Sequence, residues 1–313
     1  MALADASEPL GRAARKSGRG ARLLSLGSVP PPALVVLGII SVQVGAGLAK
    51  NLFDRLPPSA VVSMRLLVSA IVLGFLARRA LRTVLRDHSR SSLLVAAGFG
   101  LALALMNVSI YQSFARIPLG VAVTIEFLGP LAVAIGASRR PRDGLWVVLA
   151  GAGVVLLARG GTEGLDPVGV AFALLAGACW AAYILLTAAT GKRFSGTTGL
   201  AFASIVGTAV VLPAGAASAG TAMLDPELLL IGVGVGLLSS VIPYSLELEA
   251  LRRMPARVFG ILMSLEPAAA ALVGMLLLQE FLTVRQWVAI CCVVIACVGV
   301  TRAQQNPPEA PEA

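Results

Sequence analysis

The chain has 313 residues, of which 57% are hydrophobic and only 13% charged, and its mean hydropathy is +0.88. A soluble domain of this length would carry about a quarter charged residues, so the composition excludes one and points to lipid as the solvent. The net charge of +9 reads as membrane topology rather than as a nucleic-acid surface, because Lys and Arg collect on the cytoplasmic side of membrane proteins.

In chain order, residues 1–28 are basic and rich in Ala, Gly and Ser, and read as a disordered cytoplasmic tail. Ten apolar runs follow, at 33–50, 58–77, 92–113, 119–137, 144–159, 167–189, 198–214, 227–250, 256–278 and 284–301. Most have about the 17–22 residues that a helix needs to cross a hydrocarbon layer of roughly 30 Å. Turn chemistry separates them, in RLPPS, RIPLG, SRRPRD, RGGTEGLDP and LDPE. The first run is longer than the apolar part of a secretory signal and has Lys50 where cleavage would fall, so it reads as a span. A Pro- and Glu-rich tail, 303–313, is the second disordered segment. The expected class is therefore an all-α integral membrane protein with ten transmembrane helices.

The four cysteines, Cys179, Cys291, Cys292 and Cys297, sit inside apolar runs and read as small buried hydrophobes. The only histidine, His88, lies in an arginine-rich loop. Neither a metal site nor a cofactor is expected, and a His-based enzyme has nothing to work with.

With the N-terminus inside, nineteen Lys and Arg fall in cytoplasmic segments and five in external ones (Lys50, Arg55, Arg116, Arg159 and Arg285), leaving Arg65 within a span. That bias supports ten spans and two cytoplasmic termini.

The chain also repeats at an offset of 137: SFARIP at 113–118 matches ALRRMP at 250–255, Pro130 falls on Pro267, and Gln43 falls on Trp180. Trp146 and Trp287 align once the offset grows to 141. The units are 33–159 and 167–301, five spans each, and an odd number inverts the second unit in the membrane. Inverted repeats are a transporter architecture.

Ionisable side chains inside spans cost on the order of 2.5–3.5 kcal/mol at a helix centre. Arg65, Glu126, Glu247 and Glu266 are the four here. Glu126 lies about eight residues, roughly 12 Å, into its span, close to the midplane. It reads as a substrate or proton site, with a fixed Arg–Glu pair that locks helices as the alternative. Glu247 is nearer the cytoplasmic end and could instead reach the basic loop at 252–257. Glu266 does not align with Glu126, which falls on Met263; the two acids are only quasi-equivalent. Pro130, Pro243 and Pro267 lack the N–H that would bond a carbonyl one turn earlier, and loose backbone at membrane depth is where transporter sites form. Gln43, Asn107, Tyr111, Trp180, Tyr183, Tyr244 and Ser264 complete the polar set, each alternatively a helix-to-helix contact or an interfacial anchor. The glycine strings GVGVG and GAG lie inside spans and read as close packing rather than nucleotide loops.

Several stretches carry a resemblance: GAGLAKNLF at 45–53, IPLGVAVTIEFLGPLAVAI at 117–135, SRRPRDGLWVVLA at 138–150, GACWAAYIL at 177–185 and PYSLELEALRRMPARVFGILMSLEPAAAALVGMLLLQEFLT at 243–283. On these the chain resembles the drug/metabolite transporter superfamily with paired EamA-type domains, and within it the inner-membrane threonine/homoserine exporters. The resemblance implies two inverted five-helix EamA-type repeats and proton-driven export of a small zwitterionic metabolite across the plasma membrane. On that expectation Arg65 meets the substrate carboxylate, Glu126 or Glu266 meets the ammonium or carries the proton, and Tyr111, Trp180, Tyr183 and Tyr244 line the cavity. The rivals are an exporter of another small metabolite or drug, and a nucleotide-sugar or lipid-carrier transporter on the same fold. The partners are then the substrate, protons and the lipid bilayer, with no nucleic acid; the residues set no oligomeric state.

Overall fold

The computed structural model describes residues 29–136, 144–158, 165–194 and 198–303. Both tails read above as disordered lie outside the described residues (apart from Ala303), as do Arg139, Arg140, Arg142 and Arg159. The helices are α1 (Pro31–Asn51), α2 (Pro58–Leu76), α3 (Arg78–Leu81), α4 (Val84–Asp87), α5 (Arg90–Phe114), α6 (Leu119–Glu126), α7 (Leu128–Gly136) and α8 (Gly144–Ala158). They continue as α9 (Pro167–Gly191), α10 (Thr198–Ala219), α11 (Pro226–Gly236), α12 (Ile242–Arg253), α13 (Ala256–Met263), α14 (Glu266–Leu278) and α15 (Val284–Ala303). Among the described residues there is no strand. Among the described residues nine helical runs are long and apolar enough to cross a membrane, and Gly144–Leu157 is a shorter apolar helix. Leu37, Phe75, Leu94, Val148 and Leu230 are 49–74% exposed, a surface suited to lipid and not to water.

The helix starts follow from turn chemistry. Pro58, Pro167 and Pro226 open their helices, where a missing N–H costs nothing. The Asp166 carboxylate accepts from the Val168 N–H, and Asp225 from Glu227 and Leu228 N–H, so orphan donors are capped. The arginine-rich segment read as a loop forms two short helices, α3 and α4, consistent with its Arg, Ala and Leu content. His88 stacks on Phe194 at 4.3 Å there.

Three spans are interrupted, each beside a proline. α6 ends at Glu126 and α7 starts at Leu128, with Pro130 in its first turn. α13 ends at Met263 and α14 starts at Glu266, ahead of Pro267. Between α11 and α12, Leu237–Val241 forms a π-helical turn just before Pro243. α6 and α13 are both eight residues long and begin 137 residues apart.

Helices in lipid associate by packing and hydrogen bonding rather than by the hydrophobic effect. α9 lies against α5, α6 and α7, while α1 lies against α12, α13 and α14; α2 pairs with α10, and α8 with α15. Small residues allow the close approaches. A Cβ on Gly129 would overlap the Gly177 carbonyl, and one on Gly177 would sit 2.8 Å from the Glu126 carbonyl oxygen. Hydroxyls tie other crossings: Ser63 donates to the Val211 carbonyl at 3.1 Å and Thr208 to that of Leu66 at 3.0 Å.

Gly129→Ala should destabilise the fold by about 1–3 kcal/mol, because the neighbour that must yield is backbone. Gly151→Ala, whose Cβ would meet nothing within 4 Å, should be neutral or stabilising. Thermal unfolding in detergent checks both; equal midpoints would remove the packing role given to Gly129.

Candidate functional site

The broken helices surround a cavity of about 250 Å³. Its wall is made by α1, α2, α5, α6, α9, α12, α13, α14 and the π-helical turn. Ten of the eleven residues named from the sequence reach it: Gln43, Arg65, Asn107, Tyr111, Glu126, Trp180, Tyr183, Tyr244, Glu247 and Glu266. The eleventh, Ser264, lines a neighbouring cavity instead, its hydroxyl donating to the Gly260 carbonyl at 3.0 Å.

Arg65 is held by neutral oxygens. Its Nη1 donates to Asn107 Oδ1 at 2.6 Å, Nη2 to the Ser239 carbonyl at 3.2 Å and Nε to Ser240 Oγ at 3.4 Å. The Ser239 carbonyl is available because Pro243, four residues on, has no N–H to occupy it. Its neighbour, the Leu238 carbonyl, accepts from Ser41 Oγ at 2.7 Å. Asn107 is oriented by its own amide, which donates to the Leu103 carbonyl at 2.8 Å. The guanidinium lies 5.6 Å from the centre of the Tyr111 ring, near enough for a cation–π contact. Three of its five N–H groups are engaged. Among the described residues no carboxylate comes within 4.0 Å of it, so the locking Arg–Glu pair weighed above is not formed.

The acids stand at the helix breaks. Glu126 is the last residue of α6 and Glu266 the first of α14, 7% and 8% exposed. Gln43 donates its amide to Glu266 Oε1 at 3.1 Å, tying α1 to α14. Glu247 lines the cavity opposite Gly38, where an added Cβ would come within 3.7 Å of its carboxylate. Glu249, not Glu247, turns to the arginines, 3.8 Å from Arg252 and 3.9 Å from Arg253. Two residues apart on a helix, the two acids point to different faces.

Several buried polar atoms of this wall have no hydrogen-bond partner in the protein: Gln43 Oε1, Tyr111 Oη, Ser239 Oγ and Glu266 Oε2. Unpaired polar groups away from water are costly, so four at one cavity make it the candidate place for a polar guest. Aromatic rings shape it, with Phe127 edge-on to Trp180 at 5.0 Å and Phe99 tilted on Tyr183 at 5.1 Å. Ser239 was not singled out from the sequence, because a serine within a span is ordinary. A second, more apolar cavity of about 350 Å³ adjoins the first, sharing Trp180 and Met263 with it.

The model of the EamA-like transporter family matches residues 167–302. A threonine/homoserine exporter, RhtA, of Salmonella typhimurium strain LT2 is 41% identical over 282 residues, covering 89% of this chain and 94% of the relative. The protein of the same name from Escherichia coli K12 is 40% identical over 274 residues, 87% and 91% of the two chains. The chain belongs to the EamA-like transporter family. It is thus a multi-pass membrane protein of a transporter family and not an enzyme. An uncharacterized transporter of Bacillus subtilis, YwfM, is 28% identical over 171 residues, 54% of this chain and 58% of the relative. A solved crystal structure shares the fold, with a TM-score of 0.53 at 17% identity over 88% of this chain and 99% of the other.

In this EamA-type cavity Asn107 carries the shortest bond to Arg65. Asn107→Leu should cost about 1.5–3 kcal/mol, since it strands a guanidinium N–H, whereas Asn107→Asp keeps an acceptor. Unfolding midpoints in detergent should order as native, Asp, Leu; a Leu variant as stable as the native protein would show that Asn107 does not position Arg65.

Proposed function

We propose that this chain exports small amino acids of the threonine/homoserine kind from the cytoplasm across the plasma membrane, by alternating access and coupled to protons, with both termini in the cytoplasm. The observation that carries the reading is one cavity holding an arginine with two unengaged N–H groups together with three carboxyl groups. A free amino acid brings a carboxylate and an ammonium, and this wall complements both. Arg65 takes the carboxylate through its remaining donors. Glu126, Glu266 or Glu247 takes the ammonium, and an acid not so engaged carries the proton. Relatives named as threonine/homoserine exporters, alike over nearly the whole chain, supply the substrate class.

Size favours the same reading. A cavity of about 250 Å³ is below the roughly 300–1,000 Å³ of sites for drug-sized ligands, which suits an amino acid better than a nucleotide sugar. The exchanged helix partners, with α1 on α12 and α14 and α9 on α5 and α7, support two inverted five-helix units, 33–159 and 167–301. The broken spans at their junction match the kind of place where such transporters bind their cargo.

Flux of labelled threonine and homoserine into proteoliposomes, with and without an imposed pH gradient, tests this. The native protein should show gradient-dependent flux. Arg65→Ala and Glu126→Gln should each lower it at least ten-fold, the loss of roughly 1.4 kcal/mol or more, while remaining monodisperse. Normal flux in Arg65→Ala would remove the carboxylate clamp. Gradient-dependent flux that survives Glu126→Gln would move the proton to Glu266 or Glu247. Absence of flux for both amino acids in the native protein would overturn the substrate class.

A further inference from the structure

Two seams flank the cavity at corresponding places in the proposed repeats. Along one, α6 packs on α14, so tightly that a Cβ on Gly120 would lie 2.6 Å from that of Ala271. Along the other, α7 and α13 stand apart, and the second cavity of about 350 Å³ lies between them. At the offset of 137, Ala134 in the open seam corresponds to Ala271 in the closed one, and Phe259 to Ala122. One seam is shut and its counterpart is open.

The shut seam has a fastening. Lys50, at the end of α1, meets Glu280 Oε1 at 2.6 Å and donates to the Ile117 carbonyl at 2.8 Å. Glu280 Oε2 accepts from the Leu119 N–H at 2.7 Å, capping α6 with negative charge at its N-terminus, where it is favoured. Both charged side chains are less than one fifth exposed. The backbone is shaped for this. Gln279 takes a left-handed conformation, φ +55°, unfavourable for a residue with a side chain, and it turns Glu280 back over the seam. Gly274 leaves the room, since a Cβ there would sit 2.9 Å from Glu280 Oε2. The position matching Lys50 in the second unit is Thr187, whose hydroxyl donates to its own helix at the Tyr183 carbonyl, 2.7 Å away. Two further ion pairs join separate elements at the Lys50 end, Arg55 to Glu227 at 2.7 Å and Arg116 to Asp166 at 3.8 Å.

We infer that Lys50 and Glu280 form the latch of the external gate, and that the conformer described here is closed at that end and open toward the cytoplasm through the α7–α13 seam. The inference rests on the alternating-access reading proposed above. Releasing the latch frees the α6–α14 seam to part, and the α7–α13 seam closes over the second cavity in exchange.

The test uses the full chain with its four cysteines replaced by alanine, in sealed vesicles of each orientation, with a membrane-impermeant maleimide on one side. Val123→Cys, on α6 in the wall of the first cavity, reports access past the shut seam, and Ile184→Cys, on α9 in the wall of the second cavity, reports access through the open one. Lys50→Met and Glu280→Gln should each speed labelling at position 123 from the Lys50 side on the order of ten-fold, and slow labelling at 184 from the other side. Gly274→Ala keeps both charges while crowding Glu280, should act in the same direction, and serves where a charge variant does not fold. Unchanged labelling at 123 in the folded variants overturns the latch. Faster labelling at 123 with unchanged labelling at 184 overturns it too, since that is local fraying without exchange of gates. The readout needs no transported ligand, so an error in the substrate class leaves it intact.

Discussion

An arginine at the depth of an apolar layer must find oxygen acceptors, and an unbroken helix offers poor ones, because each carbonyl already accepts one bond along the helix. Much of the cavity follows from this demand on Arg65. Pro243 leaves the Ser239 carbonyl without its usual partner, and Arg65 Nη2 takes it at 3.2 Å. The π-helical turn at Leu237–Val241 also leaves the Leu238 carbonyl open to Ser41 on α1. Asn107 completes the set from α5. A cation thus ties α2 to α5 and to the π-helical turn without an opposing charge, which keeps part of its hydrogen-bonding capacity unspent.

The acids obey the same logic from the other side. Glu126 closes α6 and Glu266 opens α14, each at a break that proline makes tolerable. Because α9 reaches the α6–α7 break and α1 reaches Glu266 through Gln43, neither half of the chain encloses the cavity alone. Glycines at the crossings let these backbones touch. In lipid, with little hydrophobic drive between helices, that closeness supplies much of the cohesion.

Most of this cavity could be read in advance from one physical signal, the expense of ionisable groups in apolar runs. Arg65, Glu126, Glu247 and Glu266 stand out against Leu, Val and Ala, and the polar and aromatic residues near them share the wall. Charges at the ends of spans carry no such signal. Lys50 and Glu280 sit where any membrane protein places charge, and only their separation of 2.6 Å distinguishes them. Glu247 and Glu249 show a finer limit: depth along a helix was legible, but the face each acid presents depends on neighbours. The interruptions of the α6–α7 and α13–α14 spans were legible as kinks from Pro130 and Pro267. The tightened turn at Leu265, whose N–H bonds the Leu262 carbonyl at 3.0 Å, depends on tertiary context.

The makeup of the wall has a further consequence for charge balance. Three carboxyl groups face one guanidinium there, and an amino acid at neutral pH arrives with as much positive as negative charge. Its binding rearranges contacts without altering the surplus. A wall carrying two unbalanced negative charges is poorly tolerated away from water, so electroneutrality has to come from something other than the cargo. On the proposed mechanism the surplus sets how many protons must be resident before the gates can exchange, and links the count of acids in the wall to the stoichiometry of transport.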